Sequence, residues 1–415
     1  MSILIKNALI ATQDKYRSII RGNVLVIGDK IAYVGKALPK ATRTIDGREK
    51  AVMPGLINTH THVAMAHMKG LLDDVELGEF LERTFKYDSK RTGRGIYNSA
   101  LLGMLEMAAS GTTSFLDLYY SEDIVAKAAK ALGMRAFLSW VTLDEEFTTQ
   151  KGSPIRNADR FISSNKGDSL VEPSVGVQGV YVANDETLLR AKELSERHGT
   201  ILHMHLAETQ SEVKQSLKSF GLRPVERIDR LGLIGRSLVA AHCVWLNRKE
   251  AKALGSKRAN VSWNPVSNSK LASGVAGIKE LLDAGANIAI GTDSNGSNNS
   301  LNMLESMKFG ALQAKSKYMS AAALTAQQAF DMSTVNAAKA LGREDIGSIG
   351  PGKLADLAII DISAPNMRPT NEANLINNIV YSANPSNIVS VMVGGRFLRA
   401  GMHPKAGSGV GSVFV

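Results

Sequence analysis

The sequence predicts a (β/α)8 barrel of the TIM type that carries a small β-sandwich domain built from both chain termini. Three observations predict it. Eight short apolar runs recur through the middle of the chain, at about residues 55–60, 112–118, 134–140, 174–180, 200–206, 238–243, 259–263 and 287–292, with helical segments between most of them. Most of these runs, such as ANIAIGTD and SLVAAHC, lack clean alternation, as expected of strands buried on both faces. The length, 415 residues, is too great for one ordinary core and suits a large barrel with a smaller appended unit.

In chain order, residues 1–52 hold short β-type runs, ILIKNALIAT and NVLVIGDKIAYVG, rich in β-branched residues and glycine turns. Residues 53–345 hold the barrel. Its helical segments include 96–109, 122–132, 185–198, 210–219, 277–284 and 301–315. Gly111, Gly133, Gly199 and Gly285 each follow a helical run, where a C-terminal cap belongs. Residues 346–415 return to β-type runs, ADLAIIDIS and IVSVMVGGRFLRAG. With the barrel between them, the two ends combine most simply into one β-sandwich.

Hydrophobic content of 44% and charged content of 21% describe a soluble globular protein. No apolar stretch approaches the length of a membrane span, and MSILIKNALI lacks the features of a signal peptide, so cytoplasm is the expected location. The one cysteine, Cys243, allows no intrachain disulfide and no cysteine-based zinc cluster, and its apolar strand reads as packing. A formal charge of +10 invites a nucleic-acid reading. The densest basic patch, RTFKYDSKRTGR, contains Arg83, Lys86, Lys90, Arg91 and Arg94. It reads as a solvated face, with a basic lid attracting an anionic substrate as the alternative. No nucleic-acid-binding module is recognisable, and the H-x-E…P-C-x-x-C pattern of polynucleotide deaminases needs more cysteines than the chain has.

The chemistry concentrates in the histidines, of which there are eight. His60 and His62 close the apolar run AVMPGLINTHTH; two apart on a strand, they point to the same side. His205 ends the fifth strand, His242 the sixth, and Asp293 the eighth in GTDSNGSNNS. Barrel active sites form where these strand ends meet. Three imidazoles and a carboxylate can hold a divalent cation with a position left for water, whose pKa falls from about 15.7 toward about 7. An acid/base group must then protonate the substrate. Glu208, three residues after His205 in HMHLAET, is placed for that. His203 shares a strand face with His205; His205 is preferred as ligand because it lies nearer the open end and Glu208, and His203 reads as a buried supporting or packing residue. Each member has a plainer reading: His242 as a core histidine, Asp293 as a helix cap or Asx turn, Glu208 as an early-helix carboxylate. His67 either lines the pocket mouth or packs. His198 and His403 receive no role.

At this point the chain resembles the amidohydrolase superfamily. MPGLINTHTH, HMHLAET, AAHCVWL, NPVSNSKLASG, GTDSNGSNNSLNM and GKLADLAIID follow the family's order and spacing over essentially the whole chain. The nearest branch is the chlorohydrolase/deaminase group, which includes the 5-methylthioadenosine/S-adenosylhomocysteine deaminases. The resemblance implies one metal per subunit, zinc or else iron, held by His60, His62, His205 and Asp293. It implies that Glu208 shuttles protons to a ring nitrogen, that His242 positions water and polarises the developing charge, and that Asp293 accepts a proton from the attacking water. Binuclear relatives add a lysine from strand four, and SVGVQGV has none. The adenosine-type enzymes carry PHSPY after strand four; here VQGVY puts Gln178 in the His position, where it can still read a heterocycle edge. Asp88 matches the acidic residue that grips a ribose. Trp263 replaces a common His and implies stacking or a narrower pocket.

The expected activity is hydrolytic deamination of an amino-substituted nitrogen heterocycle, adenosine-like first. Guanine-, cytosine- or s-triazine-type substrates, including chlorohydrolase chemistry, are the alternative. A non-catalytic barrel scaffold is the remote one. The expected partners are a small-molecule substrate and, by analogy with the family, further copies of the chain.

Overall fold

The computed structural model describes residues 2–75 and 77–398. Residues 399–415, with His403 and the end of the expected sandwich segment, lie outside the described residues. Five strands come first: β1 (Ser2–Ala11), β2 (Ile19–Ile27), β3 (Lys30–Gly35), β4 (Arg43–Asp46) and β5 (Lys50–Pro54). Eight barrel strands follow: β6 (Leu56–Thr61), β7 (Thr112–Tyr119), β8 (Arg135–Thr142), β9 (Val171–Val177), β10 (Leu202–Leu206), β11 (Leu238–His242), β12 (Asn260–Trp263) and β13 (Asn287–Ile290). The last three are β14 (Leu357–Asp361), β15 (Ile388–Val393) and β16 (Arg396–Phe397).

The terminal strands form one mixed sheet in the order β16-β15-β14-β5-β1-β2-β3, with β4 pairing to β1. The organisation follows from alternation. Ile3, Ile5, Ala8 and Ile10 of β1 face a core of their own with Val24, Val26, Val52 and Ile359, while Leu9, Ala11 and Met53 face the main core. A register shift between Ile5 and Ala8 keeps both halves of β1 turned the same way.

The barrel strands pair in parallel in sequence order from β6 to β13. Seven of the eight are buried along their whole length, and β9 at all but Glu172, which explains their unalternating apolar sequences. The seam between first and last strands is joined at their carboxyl ends. The Asp293 N–H donates to the His60 carbonyl at 2.9 Å, and the Thr292 N–H donates to Asn58 Oδ1 at 3.0 Å. Gly291 is required there: a Cβ would lie 2.4 Å from Asn264 Oδ1 and 2.8 Å from the His60 nitrogen.

Helices run over Gly93–Ala109, Glu122–Leu132, Asp185–His198, Gln210–Phe220, Ile278–Asp283 and Met303–Lys317, close to the sequence expectation. Gly133 and Gly199 end two of them in the left-handed region, at φ 85° and 65°. The terminal sheet is fastened to the barrel by a buried ion pair, in which Arg135 Nε at the start of β8 donates to Asp356 Oδ2 at 2.7 Å. Among the described residues no helix is long and apolar enough to cross a membrane.

Candidate metal and catalytic site

The carboxyl ends of the barrel strands bring His60, His62 and His205 together, with one nitrogen from each lying within 4.8 Å of the others. The hydrogen bonds behind the rings decide what these nitrogens can do. His62 Nδ1–H donates to the Leu118 carbonyl at 2.5 Å, and His205 Nδ1–H donates to the Gln178 carbonyl at 2.6 Å. A neutral ring has one proton, so both Nε2 atoms carry lone pairs. Yet these atoms sit 3.2 Å apart. Two acceptors facing each other at that distance repel unless something positive lies beside them. His60 adds a third. Its Nδ1 is 2.9 Å from His203 Nε2, and its own Nε2 is buried with no protein partner. Asp293 Oδ1 completes the group, 3.3 Å from His62 Nε2 and 3.6 Å from His60 Nε2. Three imidazole lone pairs and a carboxylate converging in a buried space fit a divalent cation of zinc type.

The electrostatics agree. Burial and the neighbouring imidazoles hold His60 and His205 well below the ordinary histidine range, so both are neutral, as ligands must be. Burial also opposes charge on His62, but the adjacent Asp293 carboxylate lifts that ring above its ordinary value: the centre draws positive charge. Burial works against ionisation of Asp293, yet His62, His242 and the Ser267 hydroxyl, which donates to Oδ2 at 2.5 Å, keep its carboxyl well below the usual range. His203 stands behind His60, with its Nδ1 3.2 Å from Ser139 Oγ, and burial pushes it down to about 3. It supports the orientation of His60 and does not enter the group.

His242 is oriented differently. Its Nδ1 accepts from the Asn268 amide at 2.8 Å and faces the Asn264 amide at 3.3 Å, so the ring proton is on Nε2. A protonated nitrogen cannot ligate, and His242 therefore presents a donor to the pocket, 3.8 Å from Glu208 Oε2. Glu208 receives the Ser273 hydroxyl on Oε1 at 3.1 Å. The turn that carries it is gripped by Glu212, whose carboxylate accepts the Ala207 and Glu208 N–H groups at 2.9 and 2.8 Å. Ala207, His242, Cys243 and Asp293 all have positive φ, between 50° and 75°. Such backbone costs on the order of 1 kcal/mol or more per non-glycine residue and clusters where side chains must be aimed.

A cavity of about 430 Å³ opens above these groups, a size suited to a small organic molecule. Gln178 and Asp88 both line it. Gln178 Nε2 donates to Tyr181 Oη at 3.1 Å. Asp88 Oδ1 accepts from Tyr119 Oη at 2.7 Å, and burial raises its carboxyl. Trp263 departs from expectation. It is fully buried and lies outside the cavity, its ring packed against Gly310. In β12 Ser262 faces the barrel interior, where its Oγ is 2.7 Å from Thr59 Oγ1, so Trp263 must point outward to the helices. It contributes packing, not stacking on a substrate. His67 does not line the cavity either: Nδ1 bonds Ser99 Oγ at 2.8 Å and the ring stacks on Tyr87.

Sequence reasoning missed the groups that orient the site. Asn264, Ser267, Asn268 and Ser273 all belong to the quoted stretch NPVSNSKLASG, whose density of small polar residues just after a buried strand was the available signal. Asp117, also missed, accepts the Val63 N–H at 2.6 Å. Burial raises its carboxyl above the usual range, and it gave no sequence signal.

Comparison with protein families matches the Amidohydrolase family over residues 51–398. The chain is 39% identical over 402 residues to a 5-methylthioadenosine/S-adenosylhomocysteine deaminase of Thermococcus sibiricus, covering 95% of this chain and 93% of that one. It is likewise 39% identical to a 5'-deoxyadenosine deaminase of Methanosarcina mazei, covering 95% and 92%. Among solved structures, an adenosine deaminase from Xanthomonas campestris with bound zinc superposes with a TM-score of 0.91 at 30% identity, covering 95% of this chain and 92% of that one.

Proposed function

This chain belongs to the amidohydrolase family, and we propose that it removes the amino group of an adenosine-like nucleoside by hydrolysis at one divalent metal, zinc. The reading is supported most strongly by the 3.2 Å approach of the His62 and His205 lone pairs, with the unpartnered His60 nitrogen and Asp293 beside them. Those four residues would hold the metal, and β9, which has no lysine, offers nothing for a second. Once bound, such an ion supplies the acidity that makes hydroxide available from water at neutral pH.

The chain's own groups divide the rest of the work. Asp293 accepts the proton that water gives up. Glu208 delivers a proton to the ring nitrogen next to the amino-bearing carbon as that carbon gains oxygen. His242 Nε2–H donates to the oxygen on which charge develops. A second proton then reaches the amino group, which leaves as ammonia, and the heterocycle keeps the oxygen as a carbonyl. Gln178 reads the heterocycle edge, and Asp88, whose Oδ1 is engaged by Tyr119, accepts from sugar hydroxyls. The test is ammonia release from a panel of nucleosides and free bases, with metal counted by mass spectrometry. Release from adenosine-type nucleosides at one zinc per chain is expected. No release from any member with metal present would overturn the assignment.

A further inference from the structure

The cavity's charge is lopsided. Asp88, Glu146, Glu208 and Asp293 line it, and among the described residues no lysine or arginine does. This is unusual for a chain of net charge +10. Three cations on the surrounding segments are engaged elsewhere. Arg91 bonds Tyr119 Oη at 2.7 Å and Asp88 at 3.4 Å, with its side chain only 4% exposed. Lys270 bonds Asp73 and the Gly296 carbonyl at 2.5 and 2.7 Å. Arg83 pairs with Glu79. The helix Leu77–Asp88 walls the cavity with Phe80, Thr84, Phe85 and Asp88, and none of its basic residues is among the lining side chains.

A nucleoside's amino-bearing carbon and its 5′ carbon lie at opposite ends. With the amino group at the metal ligands and the sugar at Asp88, the 5′ substituent is at the mouth. There Phe85 and Phe147, about half exposed, face it together with Glu146. Glu146 is exposed and has no ion-pair partner among the described residues. We propose that this mouth selects adenosine-type nucleosides whose 5′ substituent carries no net negative charge, and that Glu146 excludes those whose carboxylate or phosphate leaves the substituent anionic. An apolar 5′ group covers the two phenyl rings. An anionic one meets a like charge, and among the described residues no lysine or arginine lines the cavity to compensate it. The inference rests on the deaminase reading and narrows it.

The experiment compares kcat/KM for 5′-methylthioadenosine and 5′-deoxyadenosine (neutral), 5′-amino-5′-deoxyadenosine (cationic), and 5′-carboxymethylthio-5′-deoxyadenosine and adenosine 5′-monophosphate (anionic), in the wild type and in Glu146→Arg. The neutral and cationic compounds should exceed both anionic ones by at least tenfold at low salt, with the gap narrowing as ionic strength rises. Glu146→Arg should raise the ratio of 5′-carboxymethylthio-5′-deoxyadenosine to 5′-methylthioadenosine turnover at least fivefold. Comparable wild-type turnover of the anionic compounds, or a ratio unmoved in Glu146→Arg, overturns the proposal. Calorimetric affinities of the same five compounds separate the two readings. If none is deaminated, the deaminase assignment falls, and the order of affinities still supports or refutes the charge rule.

Discussion

Replacing His242 separates the two roles its position allows. Its Nε2 lies near enough to His60 and Asp293 to join a metal group on distance alone. The Asn268 and Asn264 amides on Nδ1 instead make it a proton donor. His242→Asn is the informative change, because asparagine tolerates the left-handed backbone (φ 75°) and is too short to place a donor where Nε2 now sits. Losing a donor aimed at developing charge should lower kcat by about 10²–10³. Metal content should be unchanged, since the four ligands are untouched. Stability should fall by about 1–3 kcal/mol, the cost of leaving a buried amide such as that of Asn268 unsatisfied. Initial rates of ammonia release, metal counted by mass spectrometry and urea unfolding read the three quantities. Metal lost in proportion to activity would make His242 a ligand and refute the tautomer argument. A kcat within about threefold of wild type would show that the ring does not face the reacting oxygen.

Three further outcomes are expected. Glu208→Gln should reduce kcat by about 10²–10⁴ with metal and nucleoside affinity retained, as removal of a general acid does; stopped-flow binding and steady-state rates check it. Arg135→Ala leaves Asp356 buried without its partner, 2% exposed, and should cost about 3–5 kcal/mol in denaturant unfolding, with the Arg135→Ala/Asp356→Ala pair less affected than the sum. Burial, with Arg91 nearby, pushes His67 down to about 4, whereas its unfolded ring titrates near 6.5. Between those values the unfolded chain binds the extra proton, so this residue's contribution to stability is present above 6.5 and lost as pH falls to about 4. His67→Gln should flatten the stability–pH curve in that window and not above it.

The barrel was readable because strands buried on both sides appear as apolar runs whatever their neighbours, and β7, β10, β11 and β13 fall within a few residues of the expected spans. The convergence of His60, His62, His205 and Asp293 was readable because histidine is scarce here and a barrel's strand ends meet at one face. Direction was harder. β12 has four residues, too few for alternation to reveal that Ser262 points in and Trp263 out. The proton position on His242 depends on two asparagines brought across from the end of β12 and the short helix Pro265–Lys270 after it, a tertiary fact with no local trace. The basic patch around Arg83–Arg94 carries its charge in the sequence, but only packing reveals that its helix turns phenyl rings toward the cavity.

The seam between β6 and β13 joins the earliest and latest barrel strands to leave the ribosome, and each delivers part of the same coordination group. A nascent chain that has emerged only as far as β12 therefore has imidazoles but no carboxylate to complete the set, and no edge partner for its opening strand. An ion held by His60, His62, His205 and Asp293 would therefore be fully enclosed only once the ring has closed.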